Sequence, residues 1–367
     1  MVSILKTLKY RFLECGAKIL GFFSSSSLRF GPPKGYYLSA EEYLSQNPSM
    51  GRIKTLSADP NKYLLAIKKG RICLNPWAFI TADDKLLFKE SNCYNTKPRK
   101  HWVFRSLKLP KVKKISGKVL FLSARTNYYH LMIDELSFLN MVCEIGLKLN
   151  SFDYIVCEKP NYPAAQTIFK IWGICKHKII SLDGHKHLQC DWLYFGGGDH
   201  ALSKEAIYIT LEKLNHCYNI PMESKGTGKK CTVIIRPRTR TRRWLNEKEC
   251  LSKLKMLGFQ EVSLDTKSLG EQMEILAETK ILVAVHGAAL TNIIFMRPGT
   301  RVIEIRYKKQ GGDYSSASCY ERLSEIIGIN HKILQSDGVE RLEFKGRSIE
   351  DADLIINCDE LIKLTKI

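Results

Sequence analysis

The residues best suited to chemistry fall into four groups. The first is His286-Gly287-Ala288-Ala289-Leu290-Thr291-Asn292, which follows the apolar run ILVAV. A glycine and two alanines let backbone approach a ligand closely, and a helix starting there aims its unbonded N–H groups outward. Such a turn suits an anion, a diphosphate in particular. His286, at the strand end, can donate to a phosphate oxygen or a sugar hydroxyl. The alternative is a tight strand-to-helix turn with a packed histidine. The second group is Arg236, Arg238, Arg240, Arg242 and Arg243, five arginines in eight residues directly after the strand-like CTVII. Guanidinium forks match phosphate geometry. A solvated basic loop or a nucleic-acid patch would use the same residues, although only Trp244 lies near enough to stack on a base.

The third group is Glu304, a carboxylate inside the apolar run VIEI. It needs partners there, and ribose hydroxyls or an arginine would serve equally. The fourth is Asn127-Tyr-Tyr-His130-Leu-Met-Ile-Asp134-Glu135, where His130 and Asp134 are four apart and share one helix face. A histidine beside a carboxylate at a helix start is one way to present a general base; a polar pair capping the helix is the other reading. The glycines of Gly196-Gly197-Gly198-Asp199-His200 read as a turn before a helix at Ser203, and the stretch after Glu304 (RYKKQGGDYSS) is assigned no chemistry. With no CxxC pair and no DxD loop at a strand end, no metal ligand set is expected.

The elements that must position these residues follow from periodicity. Short apolar pieces in residues 30–110 predict antiparallel strands. From residue 118, KVLFLSA, DYIVCE, KIISL and WLYF predict strands. Around them, NYYHLMIDELSFLNMVCEIGLKL, PAAQTIFKIWG and Ser203–Cys217 predict helices. After the polar, glycine-containing segment 221–230 a second alternation begins, with strands at CTVIIRP, QEVSLD, ILVAVHG and RVIEIRY. Helices at NEKECLSKLKMLGF and SLGEQMEILAETK, and a short one from Ala288, lie between those strands. Alternating strands and helices predict parallel sheets. The expectation is an α/β chain of two Rossmann-like domains facing an inter-domain cleft. Its parts are a basic amphipathic segment 1–29, a domain 30–220, a linker 221–230 and a domain 231–367, whose last helix is free to cross back. Ligands then bind beyond the carboxyl ends of the strands.

Composition narrows the partners. At 44% hydrophobic and 26% charged residues, wholesale disorder is excluded. The net charge of +20 favours polyanions, acidic lipid surfaces or phosphorylated small molecules. The 12 cysteines are scattered singly, several in apolar runs, and read as reduced residues of a cytoplasmic protein. Near the start, Ile4, Leu5, Leu8, Phe12, Ile19 and Leu20 form an apolar helical face, suited to an anionic membrane surface or to packing on the domain. Lys6, Lys9, Arg11, Glu14 and Lys18 interrupt every window long enough for a spanning helix or a secretory signal.

Together the motifs resemble the family 61 glycosyltransferases over roughly residues 118 to 310. The most specific stretch is EQMEILAETKILVAVHGAALTNIIFMRPGTRVIEI, where Gln272, His286, Gly287, Ala288, Leu290, Thr291, Asn292, Pro298, Gly299 and Glu304 match the family pattern. Arg236, Arg242, Asn246 and Glu247 match an upstream pattern, and NYYHLMIDEL is similar to the family's NYYHWLLDEL. Ala289 stands where the family has a second glycine, and Ala284-Val285 where it often has Gly-Pro. The resemblance implies a GT-B fold and inverting transfer from a nucleotide-sugar to a glycan or lipid-linked acceptor, without metal. It implies Asp134 as base, with His130 as its rival. Arg236, Arg242, Asn246, His286, Gly287, Ala288, Ala289, Asn292 and Glu304 would hold the donor. It further implies a cytoplasmic enzyme of capsule-type surface polysaccharide synthesis, docked on the inner face of the membrane. The competing class is a nucleic-acid-binding protein built on the arginine cluster, which would show steep salt dependence.

Overall fold

The computed structural model describes residues 37–57, 59–73, 77–91, 101–105, 109–122, 127–157, 163–181, 186–197, 203–220, 228–236, 241–307, 319–339 and 352–366. The basic segment 1–29 and residues 198–200, 221–227, 237–240 and 308–318 lie outside them. Two compact units emerge. The first comprises residues 1–126, 138–160 and 172–201, and the second residues 127–137, 161–171 and 202–367.

The first unit contains two six-stranded sheets. One is small and largely antiparallel, with Arg71–Cys73 between Ala78–Ile80 and His187–Gln189. The other comprises β1 (Gly51–Leu56), β2 (Asp59–Lys68), β3 (Lys118–Phe121), β4 (Tyr154–Cys157), β5 (Ile179–Ser181) and β6 (Trp192–Gly197), ordered β5-β4-β3-β6-β2-β1. Strands β5, β4, β3 and β6 are parallel, while β2 and β1 are added antiparallel. The antiparallel strands expected before residue 110 and the parallel ones after 118 are therefore both present. Ile67, Phe79, Val119, Val156, Leu193 and Phe195 close the core between them. Gly196 and Gly197 belong to strand β6 rather than to a turn.

Helices α1 (Leu136–Glu144), α2 (Pro163–Ile171) and α3 (Lys204–Tyr218) precede the second unit's sheet. That sheet comprises β7 (Lys230–Ile234), β8 (Phe259–Val262), β9 (Thr279–Val285), β10 (Arg301–Tyr307), β11 (Asn330–Val339) and β12 (Asp353–Ile355). The order is β8-β7-β9-β10-β11-β12, with β8 to β11 mutually parallel and β12 antiparallel. Ile281 to Val285 are all buried, as the near-continuous apolar run of a strand covered on both faces requires. The helices are α4 (Glu247–Met256), α5 (Leu269–Ala277), α6 (Cys319–Ile327) and α7 (Cys358–Thr365). A capping box of Ser268 and Glu271 starts α5, and the Asn357 side chain caps α7.

Three features differ from the sequence reading. The break is not a single one at 221–230, because residues 127–137 and 161–171 join the second unit. The Tyr128 hydroxyl donates to Asn292 Oδ1 at 2.8 Å, Tyr129 makes an edge contact with Tyr320, and α2 contacts α5. Helix α7 does not cross back; Cys358 and Leu361 pack with Val233, Leu254 and Ile303 of the second unit. Finally, Cys250 and Cys358 form a disulfide, so the cysteines are not all reduced. Both sit in apolar surroundings that a thiol would fill equally well, and their separation of 108 residues hides the pairing. Among the described residues no helix is long and apolar enough to cross a membrane.

Candidate active site

The crossover from β7 runs one way to β8, and the next returns past β7 to β9, so the strand order reverses between β7 and β9. In doubly wound sheets the crevice beyond the carboxyl ends at such a reversal is where ligands bind. Arg236 lies two residues past β7, and His286 immediately follows β9. The His286 N–H donates to the Ile305 carbonyl at 2.9 Å, which fixes the turn against β10. A Cβ placed on Gly287 would lie 3.4 Å from Arg236 Nη1, so the guanidinium rests on the bare face of the glycine. Arg242 reaches the same turn, donating from Nη1 to the His286 carbonyl at 3.1 Å.

The two arginines raise the local positive potential. Burial, and then the charge of Arg242, lower the Arg236 pKa below its ordinary value, while Asp265 and Tyr320 act the other way. The segment Ala288–Phe295 is a 3-10 helix whose first internal bond joins Leu290 N–H to the Gly287 carbonyl. The N–H groups of Gly287, Ala288 and Ala289 make no hydrogen bond among the described residues. Three backbone donors and two guanidinium groups thus sit at the reversal point.

Glu304 has a different place from a ribose ligand. It is wholly buried, with His286 Nδ1 bonded to Oε1, Arg306 Nη2 donating to Oε2 at 2.6 Å and His331 Nε2 2.8 Å from Oε2. Of the two partners open from sequence, the arginine is the one observed, with two histidines added. Burial alone would raise the Glu304 pKa, but the bonds from His286, His331 and Arg306 outweigh it and bring it down to about 2. Arg306 also donates to Glu321 at 3.0 Å, and Ser324 Oγ lies 2.8 Å from His331 Nδ1. The carboxylate therefore orients the His286 ring.

The His130–Asp134 pair belongs to the same unit. Its segment His130–Glu135 is π-helical, a widened turn that recurs at functional sites. His130 Nδ1 lies 2.6 Å from Asp134 Oδ2, and both side chains are partly exposed. Asp134 Oδ1 is buried and has no partner among the described residues. Two ring contacts connect this pair to the His286-Gly287 turn. Tyr129 meets Tyr320 edge-on with centroids 5.6 Å apart, and Tyr320 meets His286 at 5.2 Å. Burial raises the pKa of both tyrosine hydroxyls, which keeps them neutral.

Not every residue singled out in the sequence faces this crevice. Asn292 is buried, accepting from Tyr128 and donating from Nδ2 to the Ala289 carbonyl at 3.1 Å, so it ties the two segments together. Both ends of the Asn246 amide are bonded to the Ile356 backbone, at 2.8 and 2.9 Å. Gln272 donates to the Leu264 and Lys267 carbonyls. Sequence reasoning missed Tyr128, Tyr129, Tyr320, Arg306 and His331. The first two stood inside the NYYHLMIDEL motif, and Arg306 opens the stretch RYKKQGGDYSS that was assigned no chemistry. Among the described residues no group of three His, Cys, Asp or Glu side chains is placed to hold a metal ion.

Comparison with known proteins finds relatives of part of this chain. Residues 128–303 match the family described as Glycosyltransferase 61. An EGF domain-specific O-linked N-acetylglucosamine transferase of Canis lupus familiaris is 29% identical over 121 residues, covering 32% of this chain and 22% of that protein. A xylan glycosyltransferase of Arabidopsis thaliana is 26% identical over 117 residues, covering 31% and 23%. The Drosophila melanogaster transferase of the first kind is 27% identical over 124 residues, covering 33% and 22%. This chain spans less than a quarter of the length of each. With the motifs in order and the donors gathered at one reversal point, residues 128–303 are similar to the glycosyltransferases of family 61.

Proposed function

We propose that the chain is an inverting glycosyltransferase that uses a nucleotide-sugar donor. One observation carries the reading. Arg236, Arg242 and the N–H groups of Gly287 to Ala289, unbonded among the described residues, meet at the strand reversal of the unit that also holds the His130–Asp134 pair. The acceptor hydroxyl oxygen bonds to the anomeric carbon, the bond from that carbon to the phosphate oxygen breaks, and the diphosphate leaves with the electron pair. Its growing negative charge meets donors that are already in place, where they stabilise the transition state most. Positive side chains and backbone dipoles fill the role a metal would otherwise take, which supports metal-independent transfer.

The proton of the acceptor hydroxyl goes to His130. With Nδ1 donating to Asp134, the ring's Nε2 carries the lone pair, and the carboxylate holds the ring and stabilises its protonated form. This reverses the order of the pair expected from sequence, in which Asp134 came first. A GT-B architecture accords with parallel-rich sheets in both units. The acceptor is proposed to be a glycan or a lipid-linked glycan in surface polysaccharide synthesis, an anionic lipid surface being consistent with the net charge of +20. The names of the relatives include a protein acceptor and a polysaccharide. Location divides between a cytoplasmic site at the membrane and an oxidising compartment; the Cys250–Cys358 disulfide favours the second.

The nucleic-acid reading is the weaker. Of the described arginines in the cluster, Arg236 and Arg242 turn onto the His286-Gly287 segment and Arg243 pairs with Asp353. The test of function is transfer from a panel of nucleotide-sugars to oligosaccharide acceptors, with the product's anomeric configuration read by NMR. Inversion that persists in EDTA is expected. Retention of configuration would overturn the mechanism.

A further inference from the structure

We infer that Asp353 is a positioning residue for the donor site, acting through Arg243 on Arg242. This inference rests on the donor-site reading above. Arg242 has a backbone φ of 53°, in the left-handed region that a non-glycine residue occupies at a cost, and such a conformation persists only where its surroundings impose it. The residues that impose it come from the far end of the chain. Asp353, 1% exposed at its side chain, accepts three bonds from Arg243: from the backbone N–H at 2.9 Å, from Nε at 2.9 Å and from Nη2 at 2.6 Å. The Leu354 N–H donates to the Arg243 carbonyl, and the Leu245 N–H to the Leu354 carbonyl, both at 2.8 Å. Asn246 clasps the Ile356 backbone in both directions, and Cys250 is bonded to Cys358.

The segment after Arg242 is thus fastened to residues 353–358 at four successive places. The Asp353 contact is the one adjacent to the site. Arg243 turns toward it and its neighbour Arg242 turns toward the His286 carbonyl, so fixing the first sets the backbone from which the second departs. A buried carboxylate with both oxygens bonded to Arg243 costs desolvation, and a geometric role accounts for that cost better than stability does. Asp353 lies well past the matched family segment, which ends at residue 303.

The experiment is a double-variant cycle on the full chain. Binding of UDP, GDP, CDP and ADP is measured by calorimetry for the native protein, Asp353→Asn, Arg242→Ala and the double variant, and the tightest nucleotide is followed. Arg243→Ala, altering a half-exposed side chain, repeats the test should Asp353→Asn fail to fold. Arg242→Ala should weaken binding about tenfold or more, the range of a charge-assisted bond. Asp353→Asn should weaken it roughly threefold to tenfold, the range of an ordinary hydrogen bond, with donor KM rising and acceptor KM unchanged. In the Arg242→Ala background the Asp353→Asn effect should vanish. An equal effect in both backgrounds would make Asp353 merely structural and overturn the inference, as would native affinity in Asp353→Asn. If the native protein binds none of the nucleotides, the donor-site reading falls and this inference with it. If it binds one and Arg242→Ala leaves that affinity unchanged, only the inference falls.

Discussion

Replacing Glu304 by glutamine tests the most deeply buried charge in the site. The carboxylate is wholly buried and holds His286, Arg306 and His331 together. Glutamine keeps the shape, removes the charge and brings an N–H2 group to a place where only donors point inward. Arg306, 13% exposed at its side chain, then loses its nearest anion and retains only Glu321. Removing one partner of a buried ion pair typically costs about 3–5 kcal/mol. The pH dependence gives an independent magnitude. A folded-state pKa of about 2 against an ordinary 4.5 corresponds to about 3 kcal/mol. Because the folded pKa is the lower one, that stability is fully present above pH 4.5 and is lost as the pH falls toward 2. Urea unfolding followed by circular dichroism at neutral pH should show Glu304→Gln destabilised by a few kcal/mol. A pH series should show the difference between variant and native chain shrinking below pH 4.5. Nucleotide binding should weaken as well, since the His286 ring loses its orienting partner. A glutamine variant with native stability and native nucleotide affinity would refute the reasoning.

Further outcomes follow from the same contacts. His130→Ala should lower kcat by roughly 10²–10⁴, the usual worth of a general base, while leaving nucleotide affinity intact; equal losses in both would place His130 in donor binding. Asp134→Asn should act in the same direction and should not deepen the loss in a His130→Ala background, as transfer kinetics on the double variant will show. Reduction of Cys250–Cys358, which closes a loop of 108 residues, should cost up to about 4.7 kcal/mol in the chain-entropy account. Melting with and without dithiothreitol checks this, and an unchanged melting temperature would remove the disulfide from the list of stabilising features. Tyr128→Phe deletes the hydroxyl bonded to Asn292 and should cost about 1 kcal/mol, measured by urea unfolding.

The strands that carry the site were legible because Ile281 to Val285 and Val302 to Ile305 are buried runs with no polar interruption except Glu304. The turn at His286 was legible for the same reason, since a small-residue sequence after such a run has few other uses. Other parts were hidden by the distance along the chain between partners. His331 stands on β11, whose exposed and buried residues alternate through a polar sequence that does not announce a strand, and it reaches Glu304 only through the parallel register with β10. Asp353 lies 110 residues from Arg243, and Cys358 lies 108 from Cys250, so no local pattern couples them. Glu304 shows the limit most clearly. Its need for partners was evident, but whether the protein or a ligand supplies them depends on which strand lies alongside.

The central claim is that the crevice beyond β7 and β9 binds the diphosphate of a nucleotide-sugar. Its most direct test is thermal stabilisation of the native chain by UDP, GDP, CDP, CMP and ADP, with and without EDTA, repeated for Arg236→Ala and His286→Ala. The account predicts a shift with one nucleoside diphosphate that survives EDTA and is lost in both variants, since a ligand bound only to the folded state raises its stability with the logarithm of one plus the ratio of free ligand to Kd. No shift with any nucleotide, together with tight, salt-sensitive binding to oligonucleotides, would contradict it.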